Sequence, residues 1–177
     1  EKFAGVEALV RWHHPKYGFM MPDEFISLAK ESDAILALGR WVLEAACREV
    51  KQWQGDGLCD LHVAINVSAK ELEQDGYVTM VSEILTKTKL APHSLELEIS
   101  EAIVLNNQRI IDRIHALKQL GVQIVLDDFG TGFTSVHYLK TIPVDKIKID
   151  QSFIKYINTN EADAAIVRAF IALARAM

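Results

Sequence analysis

Short apolar runs alternate along this chain with longer stretches in which apolar residues return every three or four positions, a rhythm that predicts strands separated by helices. The strand runs are Gly5 to Val10, His62 to Val67, Leu95 to Ile99, Gln123 to Leu126 and Lys146 to Ile149. Helical spacing predicts Asp23 to Lys30, Ile35 to Trp53, Lys70 to Thr86, Gln108 to Leu120 and Asp163 to Met177. In the second helix Leu36, Trp41, Val42, Ala45, Ala46, Val50 and Trp53 fall near one face and are expected to pack as core. Gly121 stands where a left-handed glycine would end the fourth. Such alternation implies a parallel sheet wrapped by helices, and both an open doubly wound sheet and a (β/α) barrel satisfy it.

Polar residues separate the two. No glycine-rich phosphate loop follows the first strand, so the usual dinucleotide signature of the open sheet is missing. Instead every strand carries a polar group within or just after its apolar run: Glu7, Asn66, Glu98, the pair Asp127 and Asp128, then Lys148 with Asp150. In a barrel the C-terminal ends of successive strands converge on one mouth, which would gather these residues around one ligand. A lone strand glutamate such as Glu98 reads as solvent-facing. Five strands repeating the pattern do not, because buried charges are costly unless they are paired or bind metal.

Glu7, Asn66, Glu98, Asp127 and Asp128 are an all-oxygen set, suited to Mg²⁺ or Mn²⁺ rather than zinc. A calcium site or a salt-bridge network around Lys148 would fit the same residues. Adjacent carboxylates at Asp127 and Asp128 favour two neighbouring metals, the arrangement that clamps both oxygens of a phosphoryl displacement. Lys148 could then orient the nucleophile or stabilise developing charge. The stretch Phe129 to Ser135, with two glycines, predicts a tightly shaped turn over the site.

Composition narrows the picture. The 177 residues are 50% hydrophobic and 24% charged, with 9 Gly and 4 Pro, the composition of a compact globular domain. A net charge of −5 argues against broad binding to a DNA or RNA polymer but leaves room for a local anion pocket. Cys47 and Cys59 lack metal-site spacing and read as ordinary thiols. No apolar run approaches the roughly 18 residues a membrane span needs, and the expected location is cytoplasmic, with a membrane anchor allowed elsewhere in the parent protein.

With these residues in hand, the chain resembles the EAL family of cyclic di-GMP phosphodiesterases over nearly its whole length. Glu7-Ala8-Leu9-Val10-Arg11-Trp12 is similar to the motif that names the family, followed by Pro15, Gly18, Pro22 and Phe25 in its loop. Asn66-Val67-Ser68, Glu98-Ile99-Ser100-Glu101, Asp127 to Ser135, and Lys148-Ile149-Asp150-Gln151-Ser152-Phe153 resemble its later motifs, in order. The resemblance implies a modified (β/α)8 TIM-like barrel that hydrolyses cyclic di-GMP to linear pGpG with two Mg²⁺ or Mn²⁺ ions, calcium inhibiting. It implies metal binding by Glu7, Asn66, Glu98, Asp127 and Asp128, with Lys148 orienting the attacking water. Glu7, Asp128 and Lys148 would form the catalytic group. Substrate contacts would fall to Arg11, Leu9 and Asp150, and Glu101 would anchor the loop after the aspartate pair. Ser100, Lys30, Asp33 and Gln151 depart from the family pattern without touching a ligand position. A homodimer and a fused sensory or GGDEF domain in the parent protein are further expectations.

Residues 1–177 are thus expected to be a partial EAL domain. The family's first strand would precede residue 1, and two more strands bearing a further glutamate and a glutamine would follow Met177. A (β/α)8 barrel usually needs about 250 residues, so the piece alone is expected to be inactive. Two other functions fit the same features: a catalytically silent EAL receptor for cyclic di-GMP that regulates a partner domain, and an unrelated sugar-phosphate barrel.

Overall fold

The structure, a computed structural model, describes residues 3–104, 107–132 and 139–177. The chain begins with β1 (Gly5–Ala8), an antiparallel hairpin of β2 (Trp12–His14) and β3 (Gly18–Met20), α1 (Pro22–Glu31) and α2 (Ala34–Gly55). There follow β4 (His62–Asn66), α3 (Ala69–Leu72), α4 (Tyr77–Thr88), a single 3₁₀ turn at Pro92–Ser94, β5 (Leu95–Ser100) and α5 (Glu101–Val104). The remaining elements are α6 (Gln108–Leu120), β6 (Gln123–Phe129), β7 (Lys146–Ile149), α7 (Gln151–Ile154) and α8 (Glu161–Ala176).

Five strands form one parallel sheet in the order β1-β4-β5-β6-β7, curled as part of a barrel. Its register explains how the sequence divides. Glu7 stands beside Ala64, Ala64 beside Glu96, Asn66 beside Glu98, and Ser100 beside Asp127. Because side chains alternate across a strand and neighbours in register share a face, Glu7, His62, Asn66, Glu96, Glu98, Asp127, Lys146 and Lys148 all belong to one side. Val63, Ile65, Leu95, Leu97, Ile99, Ile124 and Leu126 take the other, where α4 and α6 bury them with Val81, Ile84, Ile114 and Leu117. The core therefore lies between sheet and helices, and the polar residues line the concave side. At about 1.5–3 kcal/mol for each fully buried aliphatic side chain, this apolar layer dominates the stabilisation.

All five predicted strands are present, with β6 running on through the aspartate pair to Phe129. Asn107 caps α6, accepting from Ile110 N at 3.3 Å, and Gly121 ends it at φ 92°, as its position predicted. Two expectations need correction. The helix expected from Lys70 to Thr86 is broken: α3 ends at Leu72 and α4 begins at Tyr77. Asp75 in the intervening turn meets Arg109 and Arg113 of α6 at 2.7 and 2.6 Å, an attraction helical periodicity does not encode. In α2 the buried stripe is Ile35, Leu43, Cys47 and Val50, while Trp41 is 62% exposed. Val50 lies in the core and Val42 and Ala46 pack against it as expected, but the buried face is turned far enough to leave Trp41 outside.

Both cysteines are free, Cys59 exposed and Cys47 buried, where burial pushes the thiol up to about 12. Among the described residues no helix is long and apolar enough to cross a membrane.

Candidate active site at the strand ends

At the C-terminal ends of the strands the polar face closes on itself. Lys148 Nζ donates to both oxygens of Glu98, at 2.9 and 2.8 Å, and lies 3.4 Å from Asp127 Oδ2 and 3.5 Å from Glu7 Oε2. Asn66 Nδ2 donates to Glu7 Oε1 at 2.8 Å. Groups from five strands, separated by up to 141 positions in sequence, so form one cluster.

Its charge is not balanced. Among the described residues, one ammonium faces the carboxylates of Glu7, Glu98 and Asp127. Burial, followed by the charges of Glu7 and Asp127, pushes the Glu98 carboxyl above the ordinary range in spite of its bond to Lys148. For Lys148 burial works the other way, but the hydrogen bond to Glu98 and the charges of Glu98, Asp127 and Glu7 outweigh it and raise its pKa. Lys148 is therefore a charged hydrogen-bond donor at neutral pH and not a proton acceptor.

Asp128 has a left-handed backbone, φ 55°, an uncommon conformation for a residue with a side chain. Its N–H donates to Asp127 Oδ1 at 2.9 Å. Alternation alone would send neighbouring side chains to opposite faces. With the irregular register between Leu126 and Phe129, this turn lets both aspartates line the same cavity. Burial and the nearby charges of Asp127 and Asp150 push the Asp128 carboxyl up.

That cavity, about 590 Å³, runs from Asn66, Glu98, Asp127 and Asp128 to an apolar pouch lined by Pro22, Ile26, Ile35, Leu38 and Val42. Leu9 is on its wall. Arg11 and Asp150 are not among the lining residues. Arg11 donates to the carbonyl of Val10 at 2.8 Å, and Asp150 caps α7 by accepting from Ser152 N at 2.8 Å. Glu101, buried at the start of α5, accepts from Gly130 N at 2.8 Å and Gly132 N at 3.4 Å, tying down the turn after the aspartate pair. Phe133 to Ser135 of the expected loop lie outside the described residues.

Sequence reasoning missed Glu71, which lines the cavity and is 6% exposed. The Ser68-x-x-Glu71 spacing, a capping-box signature, was the available signal.

The donors that could hold a hard divalent cation are Glu7, Asn66, Glu98 and Asp127, with Asp128 beside them. Among the described residues no three or more His, Cys, Asp or Glu side chains already form a ready-made ion site. The chemistry still fits: the donors are all oxygen, they carry excess negative charge, and an ammonium is drawn into their midst.

The sequence model of the EAL domain matches residues 1–177. The bifunctional diguanylate cyclase/cyclic di-GMP phosphodiesterase MucR of Pseudomonas aeruginosa is 39% identical over 174 residues, 98% of this chain and 25% of that protein. The cyclic di-GMP phosphodiesterase PdeR of Escherichia coli is 38% identical over 173 residues, 97% of this chain and 26% of that protein. A solved MucR phosphodiesterase in complex with c-di-GMP superposes with a TM-score of 0.92 at 39% identity, over 98% of this chain and 70% of that one. The chain thus spans about a quarter of the length of these curated relatives.

Proposed function

Because the chain belongs to the EAL domain family, we propose that it hydrolyses cyclic di-GMP to linear pGpG with two Mg²⁺ or Mn²⁺ ions held at the strand ends. The observation that carries this reading is the cluster of Glu7, Glu98 and Asp127 around a single Lys148, opening into a cavity of about 590 Å³. A rim built only for stability would balance its charges.

In this reading Glu7, Asn66, Glu98 and Asp127 hold one metal and Asp128 contributes to a second. When bound, such ions polarise the phosphoryl oxygens and lower the pKa of water. Water attacks one phosphorus, the bond to its 3′ ribose oxygen breaks, and that oxygen leaves protonated, giving a linear product with a 5′ phosphate. Lys148, charged and held by Glu98, donates a hydrogen bond that orients the attacking oxygen or stabilises charge building on the phosphoryl group. Asp127 is fixed through Oδ1 by the Asp128 N–H and turns Oδ2 inward, toward Lys148 at 3.4 Å, where a cation would also reach it. Glu101 holds the Gly130–Gly132 turn and with it the direction of Asp128. Arg11 reaches substrate phosphate by leaving its bond to Val10, Leu9 packs against a base, and Asp150 acts through the α7 terminus. A cytoplasmic location, a homodimer and a fused GGDEF or sensory domain accompany this reading. The barrel would be completed by flanking strands.

The test is direct. Purified protein in its native sequence context, given cyclic di-GMP and Mg²⁺ or Mn²⁺, should yield pGpG by chromatography, and no turnover with either ion removes the proposal. Tight nucleotide binding in EDTA, with no hydrolysis on adding metal, would instead assign a receptor.

A further inference from the structure

The cavity holds one acid without a task in that chemistry. Glu71 Oε2 accepts from Ser68 N at 2.9 Å and Ser68 Oγ at 2.5 Å, while Glu71 N donates to Ser68 Oγ at 3.4 Å. A capping box of this kind works equally well in solvent and stabilises a helix start by about 0.5–2 kcal/mol. Here it is buried. Burial pushes the carboxyl up despite both Ser68 bonds, so burying it carries a cost.

The neighbouring helix is also shaped to admit it. A Cβ at position 39 would lie 1.8 Å from Glu71 Oε1 and 2.6 Å from Glu71 Cδ. The carboxyl fills the space that any side chain at Gly39 would need, so α2 accepts a helix-weakening glycine, about 1 kcal/mol worse than alanine, at the contact point. Two costs at one spot ask what they achieve.

What they hold in place is the connection that follows Asn66. Val67 N donates to Glu98 O at 2.9 Å, Ser68 is gripped by Glu71, and Lys70 Nζ donates to Ser32 O at 2.9 Å and pairs with Asp33 Oδ1 at 3.0 Å. The chain is pinned on both sides of Ser68, two residues beyond Asn66. Asn66 is itself exposed and is oriented by its 2.8 Å bond to Glu7. We propose that Glu71, seated against Gly39, is a positioning residue that sets the Asn66 amide so that Oδ1 faces the cation while Nδ2 engages Glu7. The inference rests on the metal-dependent reading above.

The test is a Mn²⁺ titration followed by electron paramagnetic resonance on the protein in its native context, beside variants whose folding is checked by circular dichroism. Outer-shell partners of metal ligands usually contribute 10–100-fold to affinity, so Glu71→Ala and Gly39→Ala should each weaken Mn²⁺ binding about tenfold, and Glu71→Gln, which still accepts from Ser68, should restore it to within about threefold. Should Glu71→Ala fail to fold, Gly39→Ala and Ser68→Ala carry the test, because they displace or release the carboxyl without removing it. Variants that melt earlier yet bind Mn²⁺ like the parent would reduce Glu71 to a helix cap and overturn the inference alone. A parent protein that takes up no Mn²⁺ overturns the metal reading and this inference together.

Discussion

The two ends of β5 and β7 repeat one theme with opposite outcomes. Near the N-terminal end, buried Glu96 meets Lys146 and stands 3.2 Å from His62 Nδ1. Two residues further along each strand, buried Glu98 meets Lys148. The first glutamate has a lysine that no other acid shares among the described residues, with the His62 ring beside it. The second shares its one lysine with Glu7 and Asp127 and opens onto the large cavity. On the proposed function, the same pairing of residues on the same strands is structural where charge closes and chemical where acid is left over.

The sharpest way to break this contrast is to remove acids at the rim. Glu7→Ala or Glu98→Ala should lower pGpG formation by at least about a hundredfold, the upper range already seen for outer-shell partners alone. Substantial residual turnover would make either residue merely structural. Lys148→Ala should reduce kcat about a hundredfold with nucleotide affinity retained, read by steady-state kinetics beside equilibrium binding. The same variant removes the one cation that pairs with Glu98 among the described residues, so it should melt at a lower temperature in EDTA and regain more than the parent does on adding Mg²⁺.

At the other end the effect should fall on stability. Lys146→Met leaves Glu96 with His62 alone and should cost about 1–3 kcal/mol in urea titration, while kcat stays near the parent value. A large loss of turnover would abolish the distinction between the ends.

The smallest effect concerns pH. Glu71 titrates above its ordinary value of 4.5 in the folded chain, so the folded state holds this proton more tightly than the unfolded state. Its contribution is complete below that value and is lost as pH rises through the folded pKa. Stability in EDTA should therefore fall across the range just above 4.5, and Glu71→Gln should flatten this slope; an unchanged slope would contradict the burial described for Glu71.

Much of this was legible in the sequence because it rests on local rules. Strand positions follow from apolar runs, and the rim follows from one polar residue recurring near each strand end. Glu7, Asn66, Glu98, Asp127 and Lys148 were named on that ground, and the structure brings them together. What escaped depends on partners distant in sequence. Trp41 and Cys47 both suit a helical stripe, and only the sheet beneath decides which turns inward. The turn before Tyr77 is held by arginines more than thirty positions away. The hairpin of β2 and β3 was missed because three-residue strands give too short an alternation to read. Arg11, named by motif position, and Asp150, named by its strand end as well as its motif, show the converse: their side chains turn to neighbours in their own segments.

The lysine amid the acids also separates assembly from supply. Being tethered to its own strand, that positive group never diffuses away, so the acidic strand ends can come together during folding in a cell short of free divalent ions. If the proposed metal-dependent hydrolysis holds, scarcity would silence the protein without unmaking it.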